Sequence, residues 1–119
     1  MIRRKDEHVT TYKSDMFGGK GTVSFLHIAG NEELCNKGRM LAILTIPEGG
    51  VLGFHVHHGE IDIYHILKGK ARFNDNGTMM EFNEGDTTWI KPEQGHEIAN
   101  IGKGDLSFIS LVLYAQKGD

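Results

Sequence analysis

Cysteine, proline, long apolar runs and concentrated positive charge are all scarce in this 119-residue chain. Cys35 is the single cysteine, so an intrachain disulfide is excluded and a reducing compartment fits. It stands in a loop-like stretch, 31–38, with no histidine at ligand spacing, and is read as incidental. Two prolines leave no Pro-rich linker between separate domains. The most apolar stretches, 41–46 and 106–114, fall far short of the roughly 20 residues that cross a bilayer as a helix. The N-terminus is positively charged but lacks the apolar core and small-residue cleavage site of a secretory signal, so a cytoplasmic location is expected. Arg3-Arg4-Lys5 is the only basic run, Asp6 and Glu7 follow it at once, and the net charge is −3. A nucleic acid or an anionic membrane needs a concentrated basic face, so neither is expected as a partner.

Glycine, by contrast, is abundant, with 16 residues falling at short intervals between β-branched and aromatic runs. That pattern predicts an all-β barrel or sandwich in a single domain, 1–119. Strands are expected at 21–28, 39–46, 51–57, 62–67, 71–74, 78–82, 87–90, 96–100 and 106–114, with at most a short helical turn around 32–34. Asp75-Asn76-Gly77 is the strongest hairpin signal, because Asn-Gly tolerates the positive φ of a type I′ turn. Gly18-Gly19-Lys20-Gly21 lacks Walker spacing and reads as a turn into the first strand. The first fifteen or so residues are polar and read as an arm, 1–15, that orders only against a partner chain, ahead of a barrel at 21–114.

Chemistry concentrates at His55-Val56-His57, Asp62 and His96. On a strand, alternate side chains share a face, so His55 and His57 lie on one side with Cα atoms roughly 6.5–7 Å apart. The Gly59-containing connection lets the chain fold back and bring Asp62 to the same place. Three imidazoles and one carboxylate suit Mn, Fe, Ni, Co, Cu or Zn and suit Ca or Mg poorly.

These residues sit in two patterns that resemble the motifs of the cupins. Gly49, five residues, His55-x-His57, four residues, Asp62, six residues, Gly69 is similar to the first motif, in which the Asp62 position is normally Glu. Gly85-Asp86 through Trp89-Ile90-Lys91-Pro92, then His96 and Asn100, resembles the second, with Lys91 where the family usually has Pro and Glu93 where it has Gly. The stretches 57–64 and 74–77 look like small single-domain bacterial cupins of the oxalate-decarboxylase-like type. The resemblance implies a jelly-roll β-barrel, or double-stranded β-helix, with His55, His57, Asp62 and His96 at its mouth as ligands of a divalent transition metal.

Asp62 is one methylene shorter than Glu, so direct ligation requires the backbone to move inward. Glu60 shares its parity and is the substitute ligand or a proton-transfer base, against the alternative of a solvated rim carboxylate. Tyr64 is a second candidate for proton transfer, against that of a packed core tyrosine. Arg39 either reaches a carboxylate of the site bidentately or is a solvent-exposed strand start. His58 and His65 have the opposite parity and are expected outside, while Trp89 and Phe82 are read as barrel core or dimer face. Ile63 and Leu67 place apolar surface on the outer face of the ligand-bearing strand, so a homodimer is expected. The expected function is metal-dependent binding, and in an enzyme reading transformation, of a small oxygen-rich molecule such as a dicarboxylate, keto acid or sugar derivative. As an enzyme it would be a decarboxylase, dioxygenase or isomerase. The competing reading is a non-enzymatic ligand-binding or sensing module, with or without metal.

Overall fold

The structure, a computed structural model, describes residues 1–115, so the last four residues of the expected domain lie outside the described residues. A 3₁₀ turn at Lys5–Glu7 precedes ten strands: β1 (Val9–Ser14), β2 (Thr22–Gly30), β3 (Gly38–Ile46), β4 (Val51–Val56), β5 (Glu60–Lys68), β6 (Lys70–Asp75), β7 (Thr78–Asn83), β8 (Thr87–Ile90), β9 (Gly95–Asn100) and β10 (Leu106–Tyr114). The alternation of the sequence decides which face of each strand is buried. In β5, Asp62, Tyr64 and Ile66 point inward, while Ile63, His65 and Leu67 face out. In β10, Leu106, Phe108, Ser110 and Val112 do the same.

The strands form two antiparallel sheets, ordered β1-β2-β3-β10-β5-β8 and β4-β9-β6-β7. Their inner faces enclose one core containing Phe25, Leu44, Tyr64, Phe73, Ile98 and Phe108, as expected of a jelly-roll barrel. Asn76 and Gly77 both take positive φ, 49° and 104°, in the turn joining β6 to β7, and Asn74 Oδ1 accepts the Gly77 N–H at 2.7 Å. Asn100 is buried and closes a loop: its Nδ2 donates to the carbonyls of Ile46 and Gly104, at 3.0 and 2.8 Å.

Two expectations change. The segment read as a polar arm contains β1, which pairs along its whole length with β2 of the same chain, Val9 opposite His27 and Ser14 opposite Thr22. Strand β4 stops at Val56 instead of running through position 57. At 32–34 the chain makes a single helix-like turn that is not continued into a helix, with Leu34 N–H bonding Gly30 O at 3.0 Å. His58 and His65 face outward as expected, Phe82 joins the core, and Trp89 is 61% exposed on the outer face.

Candidate metal centre

Strands of both sheets bring four donors together. His55 on β4 lies directly opposite His96 on β9, His57 follows the end of β4, and Asp62 comes from β5 of the other sheet. The register of β4 against β9 slips between Leu52 and His55, so the inward parity passes from Leu52 to His55 across a bulge at Gly53. That bulge presents the Gly53 carbonyl to His55, whose Nδ1–H donates to it at 2.8 Å. His57 donates its own Nδ1–H to Glu60, 3.1 Å away. A carbonyl and a carboxylate can only accept, so both imidazoles hold their Nδ1 protons; His55, and His57 in its neutral form, then turn bare Nε2 lone pairs inward.

The inward atoms nearly touch. His96 Nε2 is 3.0 Å from His55 Nε2 and 3.2 Å from His57 Nε2. An Asp62 Oδ2 lies 3.1 Å from His57 Nε2 and 3.4 Å from His96 Nε2. Donors about 2.1 Å from a shared transition metal stand about 3.0 Å apart at right angles and about 3.4 Å apart at tetrahedral angles, so the spacing is that of a ligand set. With His57 neutral, at most one hydrogen, on His96 Nε2, is available among four electron-rich atoms. Such a cluster needs positive charge at its centre, and the four residues therefore fit a cation.

The titration behaviour points the same way. Burial holds the His55 imidazole neutral, with its pKa pushed down to about 4. Burial alone would do the same to His57, but hydrogen bonds to Asp62 and Glu60 outweigh it and raise its pKa, so a proton on His57 supplies charge where a cation would supply more. Asp62, 3% exposed, is held below its usual range because contacts to His57 and His96 overcome the cost of burial. Its other oxygen accepts the Ser110 hydroxyl at 2.9 Å. The short side chain thus reaches the cluster, whereas Glu60 lies outside the four-donor group: Arg39 grips its carboxylate at 2.6 and 3.1 Å while His57 holds the same group. Burial would raise the Glu60 pKa, but these two partners lower it on balance, leaving an anion that orients His57.

Tyr64 is 2% exposed and stacks on His96, ring centroids 4.7 Å apart. Burial, reinforced by the Asp62 charge, pushes its phenol well above the ordinary value, so it remains neutral. The sequence reading missed Ser110, the Gly53 carbonyl, Phe17, and the part of β1 whose Thr11 and Lys13 line the cavity over the cluster. The β-branched and aromatic run Val9-Thr10-Thr11-Tyr12 was the available signal for that strand.

Comparison with known proteins agrees with this architecture. The chain is 36% identical over 113 residues to the oxalate-binding protein of Thermotoga maritima, covering 95% of this chain and 93% of that one. It is 33% identical over 69 residues to an uncharacterized protein of Methanocaldococcus jannaschii, covering 58% of this chain and 55% of the relative. The crystal structure of a predicted oxalate decarboxylase from Thermotoga maritima superposes with a TM-score of 0.90 at 36% identity, over 96% of this chain and 99% of that chain. A cupin 2 conserved barrel domain protein from Rhodopseudomonas palustris, only 16% identical, shares the fold at a TM-score of 0.72, over 94% of this chain and 74% of its own. The family model for the cupin domain matches residues 42–112, which span both motifs from β3 to β10, and the chain belongs to the cupin family.

Proposed function

We propose that this cupin binds a divalent transition metal through His55, His57, Asp62 and His96 and uses the remaining metal positions to hold a small chelating carboxylate, a dicarboxylate or keto acid. The observation that carries the reading is the convergence of three Nε2 atoms and one carboxylate oxygen, all within 4.8 Å of one another and each 3.0–3.4 Å from at least one other, with the His55 and His57 Nδ1 protons held on the far side by partners that only accept. A bound cation would supply Lewis acidity to carboxylate oxygens. The oxalate-binding relative supports a ligand of that class. Glu60 stays ionised and orients His57, and Tyr64 offers a neutral phenol beside Asp62. Purified protein is expected to carry near-stoichiometric transition metal by elemental analysis, and to bind oxalate in a calorimetric titration only when metal is loaded. Full metal occupancy in a His55→Ala/His57→Ala variant would overturn the reading.

A second copy of the chain is proposed as partner for the outer face of the six-stranded sheet. Two cross-strand rows of side chains cross it: Leu26, Ile43, Ile109 and His65 in one, Leu41, Leu111, Ile63 and Trp89 in the other. Seven of these eight are apolar, a surface of the kind that normally marks an interface.

A further inference from the structure

The donor cluster forms one end of a cavity of about 350 Å³, room for about ten waters at about 30 Å³ each. Oxalate has six heavy atoms and no C–H bond, so it fills little of that space and gains nothing from apolar walls. Part of the wall is nevertheless apolar, lined by Phe25, Met40, Leu44 and Leu52, while Thr11, Lys13 and His27 make another part polar.

Phe17 completes that wall. Its ring stacks on the His55 imidazole, centroids 4.5 Å apart and planes inclined by 16°, yet it stays 59% exposed. Its backbone is left-handed, φ 52°, as is that of Asp15 two residues earlier, a conformation that disfavours any residue with a Cβ. The turn is pinned to β4 by absent side chains: a Cβ on Gly19 would meet the Val51 carbonyl oxygen at 2.0 Å, and one on Gly53 the Phe17 carbonyl oxygen at 2.2 Å. A large apolar ring held by a strained backbone and left exposed at a cavity mouth is surface suited to an apolar partner. Charge narrows the choice further. A divalent cation with the Asp62 carboxylate leaves one net positive charge, and Arg39 is neutralised by Glu60, so the charge at the donor cluster itself matches a monoanion, with the Lys13 ammonium the one further cation lining the cavity.

We propose that the ligand is a 2-oxo monocarboxylate with an apolar substituent of several carbons, its carboxylate and oxo oxygens at the donor cluster and its hydrocarbon arm between Phe17 and the wall of Phe25, Met40 and Leu52. The inference rests on the metal-carboxylate reading above and specifies its ligand. The test is calorimetric titration of the metal-loaded protein with oxalate, 2-oxopropanoate, 2-oxobutanoate, 4-methyl-2-oxopentanoate and 2-oxopentanedioate, with metal content measured in every sample. Each buried methylene should tighten binding about threefold to fourfold. 4-Methyl-2-oxopentanoate should then bind at least about tenfold more tightly than 2-oxopropanoate, and more tightly than oxalate. In Phe17→Ala that ratio should fall to about threefold or less, and Phe17→Leu should restore most of it. Tightest binding of oxalate, or of 2-oxopentanedioate through the rim ammonium of Lys13, would overturn the inference, as would a ratio unchanged in Phe17→Ala. Oxalate binding without gain along the series sinks this inference alone, whereas no carboxylate binding by loaded protein sinks the underlying reading as well.

Discussion

His57 and Glu60 are joined through the imidazole nitrogen that faces away from the donor cluster, Nδ1 to Oε1 at 3.1 Å, and Arg39 clamps the same carboxylate from β3. The pair fixes both the tautomer and the tilt of His57. Glu60→Ala is expected to weaken metal affinity about 10–100-fold. Glu60→Gln, which keeps an acceptor for the Nδ1–H but loses the ion pair with Arg39, should lose less. Competition against a chelating dye measures both, and equal losses would show that charge alone matters there.

Ser110→Ala should destabilise the protein through Asp62. The Ser110 hydroxyl donates to a carboxylate that is 3% exposed, and the serine itself is 1% exposed. Removing the donor leaves a buried oxygen without a partner, at a cost of about 1–3 kcal/mol. Urea unfolding of metal-free protein reads this directly, and an unchanged midpoint would refute it.

Two buried glycines should respond differently to the same added methyl. At Gly53 a Cβ would meet backbone, the Phe17 carbonyl oxygen at 2.2 Å. At Gly95 it would meet the Phe54 ring at 2.3 Å, and Phe54 is 43% exposed, with room to swing aside. Gly53→Ala is therefore expected to cost about 3 kcal/mol or more and Gly95→Ala about 1 kcal/mol, as measured by denaturant unfolding. The reverse order would mean that the Phe17 turn yields more easily than the Phe54 ring.

The outer face of the six-stranded sheet gives a prediction about mass. Light scattering should report a dimer, and Ile63→Glu, placing charge between Leu111 and Trp89, should yield monomer with metal content unchanged. A wild-type mass equal to one chain at all concentrations would exclude the pairing.

What the sequence revealed of this molecule follows from distance along the chain. Strand parity and the two motifs identified His55, His57, Asp62 and His96, because each lies on or beside a strand whose alternation is visible in one dimension. The Asn76-Gly77 turn was equally visible, since its backbone demands those residues. Strand β1 was not, because all six of its residues are exposed and no apolar alternation marks it. Ser110 was hidden for another reason: it meets Asp62 only through the pairing of β10 with β5, 48 residues apart in sequence. Glu93, where the family pattern has Gly, is instructive as well. It takes φ 70°, and its carboxylate accepts the Gly59 N–H at 2.9 Å and pairs with His58, which offsets the strain of a side chain at a glycine position.

The donors are drawn from both sheets, His55 and His96 from one and Asp62 from the other. A cation held by all of them ties the two halves of the barrel at one end, so its escape and the parting of the sheets become a single kinetic event. Exchange of the ion would then be governed by how often the barrel breathes, and the loaded protein would unfold more slowly than the stripped one to the extent that the sheets separate in the rate-limiting step.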